Sequence, residues 1–348
     1  MSSFTISSQF VNKMLEGAVD AGCDITRLLI NAGLSDALLN EPKSRITTQK
    51  FGDLSRSLIA EMQDVTMGLL DKPMKVDSFK VLTYYLLHST NLMEAFRAYV
   101  EYMNLFDNSF QHEFHEAHDR YVYRLNRMPD SMVENSFVVE YFLVTLHRIC
   151  CWLSGKRIPI EKVELDYETP TYHEEYRHLF LGAPVFFEQN TCSMSFQAKH
   201  LDVLCRQDLE ALKQLLRDAP ISLLTQTLTS NDIPSTIRHW MENELLSKGL
   251  SPDLNDASRY LNMNSQTLRR RLKAEGTSYH EIKQQVRRDA AINLLNNDAS
   301  RIEDIAYQVG FSEPSTFIRA FKGWTGLTPL AYKKSLLPVV NVGVAIGE

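Results

Sequence analysis

The side chains best suited to recognition chemistry in this 348-residue chain lie in two short segments near its C-terminal end. Gln266, Thr267, Arg269, Arg270 and Lys273 form the first set, and Ser315, Thr316, Ile318, Arg319 and Lys322 the second. An arginine offers two parallel N–H donors to the O6/N7 edge of guanine, a glutamine matches the N6/N7 edge of adenine, and a lysine serves chiefly phosphate. These groups read a duplex only when one helix face carries them together. Leu268 and Leu272 stand four residues apart in the first segment, and Phe317 and Phe321 in the second, so each segment has an apolar face to bury and a polar face to present.

The two segments belong to an internal repeat. Leu254, Ala257, Leu261, Met263 and Asn264 match Ile302, Ile305, Val309, Phe311 and Ser312 at an offset of 48. After one inserted residue, Thr267, Leu268, Arg270, Leu272 and Lys273 match Thr316, Phe317, Arg319, Phe321 and Lys322 at an offset of 49. Each repeat reads as a short helix, a tight turn and a second helix capped by Asn264 or Ser312, which is helix-turn-helix architecture present twice. A single Arg269-Arg270-Arg271 run is an ordinary solvated helix face; duplication after two capped turns is what turns it toward DNA. Between the repeats, Ile282, Val286, Ala290 and Leu294 keep one face apolar over residues 278 to 296. A helix of that length spans about 28 Å against about 34 Å for one turn of B-DNA, so it suits a rod that sets two helices into successive major grooves. Lys283, Arg287 and Arg288 on this rod either reach phosphates or brace it.

From Leu261 through Lys334 the residues resemble the DNA-binding domain of AraC/XylS transcriptional regulators, most specifically in Gly310-Phe311-Ser312, Phe317, Arg319, Phe321, Gly326, Pro329 and Tyr332. Asn262 stands where that family usually has glycine, and Lys333 where arginine is common. Thr328 and Pro329 carry the N-cap and N1 signature of a last short helix. The stretch AGLSDALLNEP, residues Leu82 to Ala95, Tyr176-x-x-Leu179-Phe180 and Pro184-Val185-x-Phe187 are similar to the arabinose-binding-like sensor domain of OruR-like regulators. This resemblance implies small-molecule sensing, without implying arabinose.

The elements that must position these groups follow from periodicity. Apolar residues at helical spacing (Phe10, Met14, Leu15; Leu28, Leu29; Phe51, Leu54, Leu58, Ile59) make the first third helical, with further helices at about 77 to 89 and 91 to 106. Alternation at Phe110, His112, Phe114 and again at Tyr121, Tyr123, Leu125 predicts a β-hairpin. A long apolar helix over 132 to 154, short strands at 162 to 167, 184 to 188 and 192 to 197, and a helix near 172 to 180 follow. The fold class is an α+β N-terminal sensor domain followed by an all-α domain with two helix-turn-helix units joined by a linker helix. The domains are 1–218 for ligand sensing and oligomerisation, 219–233 as linker, 234–335 for DNA binding, and 336–348 as a tail.

Charge separates the same regions. Residues 233 to 335 hold 15 Lys and Arg against 11 Asp and Glu, net +4, whereas the rest holds 22 against 32, net −10. A basic third on an acidic body suits a polyanionic partner. Five cysteines without a CxxC pair argue against a disulfide framework or zinc knuckle, and Cys150-Cys151 reads as helix packing. His112, His115 and His118 cannot converge from one strand on a metal. No phosphate loop, nucleophile elbow or metalloprotease motif occurs, so no enzyme and no cofactor are expected. No window approaches 18 uninterrupted apolar residues, and the beginning lacks the order of a signal peptide, so a cytoplasmic protein away from membranes is expected.

The expected partners are double-stranded DNA, RNA polymerase, a small-molecule effector and a second copy in a homodimer. Tyr84, Tyr85, Phe96, Tyr99, Tyr141 and Phe142 either line the effector pocket or belong to the core. The alternative is a DNA-binding adaptor or repair-type enzyme with a helix-turn-helix tail, which would call for a reactive cysteine cluster that the scattered cysteines do not supply.

Overall fold

The alternating residues 110 to 125 pair as expected. Strands β3 (Phe110–Ala117) and β4 (Arg120–Arg127) form an antiparallel hairpin whose turn holds His118 at a left-handed φ of 61°. With β5 (Lys162–Glu164), β6 (Val185–Phe186) and β7 (Cys192–Gln197) they make a five-stranded sheet in the order β3-β4-β7-β5-β6, of which only β5 and β6 run parallel. Inward residues Tyr123, Leu125, Met194 and Phe196 are at most 1% exposed. Two further strands, β1 (Thr5–Ser7) and β2 (Arg45–Thr47), pair antiparallel with Ile6 opposite Ile46.

This computed structural model describes residues 4–106, 108–219, 223, 232–249, 251–296 and 300–336. Most of the expected linker and residues 337–348 of the expected tail lie outside the described residues. Contacts group the described residues of 1–9, 29–51 and 229–348 into one compact unit and those of 10–28 and 52–228 into another. Two N-terminal stretches thus pack with the C-terminal helices, a grouping that sequence order hides.

In the larger unit, helix Ser136–Ser154 starts four residues later than periodicity suggests, because Asn135 caps it by accepting from Phe137 N–H. Its length and hydropathy would suit a membrane span, but 78% of that stretch is buried inside the protein. Cys150 and Cys151 pack on it, fully enclosed. His112 is buried with its Nδ1 2.6 Å from the Tyr123 hydroxyl, and burial lowers its pKa to about 3, which keeps the imidazole neutral. The helix expected near 172 to 180 is a 3-10 turn, His173–Glu175, running into a single α turn, Tyr176–Leu179.

The unit that carries both repeats is helical. Ile233–Lys248 begins with Pro234 in its first turn and Asp232 accepting from Ser235 N–H, and ends on Gly249 at φ 63°. It packs along Tyr279–Asn296, the linker helix, which begins one residue after the expected position. The linker helix is buried on more than one side, at Ile282, Val286, Asp289, Ala290, Ala291, Ile292 and Leu295. Strand β2 packs against it as well.

Candidate DNA-reading surface

The first repeat consists of Leu254–Tyr260 and Ser265–Ala274. Asp253 and Asp256 form a reciprocal capping box at the start, in which Asp253 accepts from Asn255 and Asp256 N–H while Asp256 accepts from Asp253 N–H. The turn passes through Asn262 at φ 51°, a left-handed conformation that asparagine tolerates better than most residues and glycine best. The glycine usual at this position is therefore dispensable. Asn264 then caps the second helix by accepting from Thr267 N–H at 2.7 Å. Leu268 and Leu272 are buried, and Gln266, Arg269, Arg270 and Lys273 are exposed with Thr267 half-buried beside them. Arg271 is exposed too.

The second repeat, Ile302–Gln308 and Pro314–Thr325, turns at Gly310, which has φ 82° where the first repeat has Asn262. A Cβ on Gly310 would lie 2.5 Å from the Ser251 Cβ, so here both conformation and space require glycine. Ser312 is not the cap. Pro314 takes the first helical position, which makes Glu313 the N-cap, and Glu313 makes no side-chain cap bond. The apolar side matches expectation, with Phe317 and Phe321 fully buried and Tyr332 edge-on to Phe321 at 5.6 Å. Ser315, Thr316, Ile318, Arg319 and Lys322 are all exposed. Thr328 caps the last helix, Pro329–Ser335, by accepting from Ala331 N–H.

The linker-helix cations are turned inward. Lys283 Nζ donates to the carbonyls of Ser251 and Pro252 at 3.2 and 2.7 Å. Arg287 Nη2 donates to Ser251 Oγ and to the Gly310 carbonyl, both at 2.7 Å, and its guanidinium lies 4.7 Å from the Phe311 ring centroid. Burial pulls the pKa of both below their ordinary values. Arg288 Nε bonds Asp289 Oδ1 at 3.0 Å. Of the two roles open to these residues, bracing is the one the contacts support, and Arg287 ties the rod to the turn of the second repeat. The rod's 18 residues span about 27 Å at 1.5 Å per residue.

A charged cluster that periodicity does not reveal locks the same rod. Asp289 is fully buried; its Oδ1 accepts from Thr5 Oγ1 at 2.5 Å and its Oδ2 from Arg238 Nη2 at 2.5 Å. Arg45, 6% exposed, donates through Nε to Thr5 Oγ1 and through Nη2 to the Thr5 carbonyl. Burial alone would raise the Asp289 pKa, but Arg288, Arg238, Arg45 and the Thr5 hydroxyl together hold it well below the usual carboxylate range. The Tyr332 hydroxyl donates to the Arg45 carbonyl at 2.8 Å. The signal missed in the sequence was a lone aspartate running into Ala290 and Ala291 on a helix with an apolar face.

The six aromatic residues expected around an effector are spread widely. Tyr85 is exposed, with its hydroxyl on Glu101 at 3.1 Å, and Tyr84 is half-buried on the same helix. Phe96 stacks on Phe114 at 4.7 Å, and Tyr99 lies edge-on to His112 and Tyr123 in the core. Tyr141 and Phe142 meet edge to face, and burial pushes the Tyr141 hydroxyl up to about 12. Only Phe142 of the six lines a small recess shared with Leu70, Met74, Met103, Phe110 and His112, which has about 10 Å³ of space, room for a single water. A different buried group stands out in this unit. Glu140 on helix Ser136–Ser154 is 1% exposed, and Tyr167, Tyr172 and Tyr176 all donate to its Oε1. A single carboxylate within an apolar helix was its only trace in the sequence.

Comparison with known proteins matches residues 22–203 to the family described as the arabinose-binding domain of AraC transcription regulators, N-terminal part, and residues 257–335 to a helix-turn-helix domain. The ornithine utilization regulator of Pseudomonas aeruginosa is 26% identical over 338 residues, covering 94% of this chain and 95% of that protein. The transcriptional regulator VqsM of Pseudomonas aeruginosa is 38% identical over 84 residues, 24% of this chain and 26% of its own length. The virulence regulon transcriptional activator VirF of Shigella flexneri is 38% identical over 76 residues, 22% of this chain and 29% of its own length. Among solved structures, the transcriptional regulator CdpR of Pseudomonas aeruginosa is 19% identical, covers 80% of this chain and 96% of its own, and superposes with a TM-score of 0.29.

Proposed function

The chain belongs to the AraC transcription regulators with an N-terminal arabinose-binding domain, and from that premise we propose how its residues divide the work. It is a DNA-binding transcriptional regulator with a ligand-binding N-terminal half and a helix-turn-helix C-terminal region. Gln266, Thr267, Arg269, Arg270 and Lys273 read one major groove, and Ser315, Thr316, Ile318, Arg319 and Lys322 the next. The observation that carries this reading is the pairing of two exposed arginine-bearing helices with a rod whose own cations are spent on internal bonds. A rod held in this way keeps the two polar faces in fixed register, which is what reading two successive grooves demands.

Residues 1–218 supply effector sensing and self-association, residues 234–335 supply DNA reading, and the segment between them connects the two. Two such proteins bound as a homodimer would recognise a repeated half-site, and contact with RNA polymerase converts occupancy into activation in the cytoplasm. Selection from random duplexes with the full chain tests the central claim. Enrichment of a motif with two conserved blocks one helical turn apart is expected, and binding that weakens steeply with salt. Selection that returns no motif refutes sequence-specific reading.

A further inference from the structure

Glu140 is a buried carboxyl group whose surroundings satisfy only one of its two oxygens. Its Oε1 accepts from the hydroxyls of Tyr167 at 3.2 Å, Tyr172 at 3.4 Å and Tyr176, while the Tyr167 and Tyr176 hydroxyl oxygens lie 3.0 Å apart and Ser136 Oγ lies 2.9 Å from the Tyr172 hydroxyl. Its Oε2 is equally buried and has no hydrogen-bond partner. Among the described residues no cation pairs with it. Lys13 acts on it only at range and is paired with Glu16 at 2.7 Å. Leaving one oxygen of a buried carboxylate unbonded costs stability that a replacement residue would avoid, so an open acceptor at this position points to a missing donor.

The tyrosines that bond this carboxyl belong to an aromatic cluster. Tyr172 stacks on Tyr176 at 6.1 Å, Tyr176 on Phe180 at 5.8 Å, and Phe187 meets Tyr176 edge-on at 5.2 Å. Aromatic faces attract an ammonium or guanidinium through the ring quadrupole, and a buried carboxylate adds a charge-assisted hydrogen bond. Tyr167, Tyr172, Tyr176 and Phe187 all belong to the stretch between β5 and β7, where Leu181 and Glu188 hold left-handed φ of 53° and 57°.

We propose that Glu140, with Tyr167, Tyr172 and Tyr176, is the anchor for the cationic nitrogen of the effector, a small molecule bearing a primary ammonium or guanidinium group. The inference rests on the reading of the N-terminal half as a ligand sensor and names the class of ligand. Before the cation arrives, burial raises the Glu140 pKa, and against the opposing pull of the three tyrosine bonds it stands at about 7. A bound cation stabilises the ionised form, so binding at pH 7 releases about half a proton.

The test uses the full chain, thermal unfolding and titration calorimetry. The probes are 1,4-diaminobutane, L-lysine and agmatine, with 1,4-butanediol as the uncharged control and succinate as the anionic one. At least one cation is expected to raise the unfolding midpoint with concentration. Calorimetry in buffers of different ionisation heat should show the proton release. Glu140→Gln keeps the shape and should weaken that binding at least about tenfold and abolish the proton release. Tyr167→Phe covers the case in which Glu140→Gln does not fold: it removes one of the anchor's hydrogen bonds to the ionised form, so it should weaken the cation by about threefold or more and move the proton release to higher pH, and unchanged affinity with an unchanged proton release overturns the proposal. Equal cation affinity in wild type and Glu140→Gln overturns the proposal, as does the absence of any midpoint shift with all three cations at about 10 mM. If only the uncharged or anionic probe binds, the cation anchor falls and ligand sensing stands. A cation that binds through Glu140 without changing operator affinity keeps the anchor and removes its regulatory role.

Discussion

Asp289→Ala should be among the most damaging substitutions in the helical unit. In the native protein the fully buried carboxylate meets Arg238 at 2.5 Å, Arg288 at 3.0 Å and the Thr5 hydroxyl at 2.5 Å, with Arg45 behind Thr5. Alanine leaves three largely buried guanidinium groups without their shared anion, and breaking such a pair from one side costs about 3–5 kcal/mol. Arg238 retains Glu242 at 3.1 Å, which places the loss at the lower end, about 3 kcal/mol. With a urea m value of about 2 kcal/mol/M the midpoint should fall by about 1.5 M. Trp240 and Trp324 belong to this unit and Trp152 to the other, so tryptophan fluorescence in a Trp152→Phe background follows its unfolding.

The sign of the pH dependence follows from the depressed pKa of the folded state. The carboxylate's contribution is complete above its unfolded value of about 3.9 and fades as pH falls below it toward the lower folded value. The gap between wild type and Asp289→Ala should therefore be constant from pH 7 to about 5 and shrink below about 4. A loss under about 1 kcal/mol at pH 7, or a gap that does not shrink in acid, would refute the argument that this buried charge holds the cluster together.

Gly310→Ala combines a left-handed φ of 82° with a Cβ 2.5 Å from the Ser251 Cβ, and should lower stability by about 2 kcal/mol or more in thermal or urea unfolding. Asn262→Gly, at the matching turn of the first repeat with φ 51°, should be neutral or slightly stabilising by the same measurements. Arg270→Ala and Arg319→Ala should each weaken operator binding by about 1–3 kcal/mol and relax specificity at different positions of the site; uniform losses across sequences in a gel-shift series would mean that they touch only phosphate. Arg287→Ala should lower the unfolding midpoint while leaving the salt dependence of DNA binding unchanged, because its donors go to Ser251 and Gly310; a salt slope reduced by about one would show that it contacts the backbone of DNA after all.

Local periodicity sufficed for the repeats, since the four-residue spacing of Leu268 with Leu272 and Phe317 with Phe321 fixes which face of each helix is buried and hence which side chains are left outside. It sufficed also for the hairpin, whose alternation sets the register of Phe110 to Leu125, and for the caps at Asn264 and Thr328, where one side chain and one backbone N–H lie three residues apart. It failed at Ser312, where a proline two residues later moves the helix start. What only the tertiary structure decided involves partners distant in sequence. Whether Arg287 faces DNA or Ser251 depends on where a loop 36 residues away comes to rest. Thr5 meets Asp289 across 284 positions, and Glu140 gathers tyrosines from a stretch beyond the next strand. A buried charge is paid for by partners that no local pattern encodes, so its position in the sequence looks like any other polar residue until the chain has closed around it.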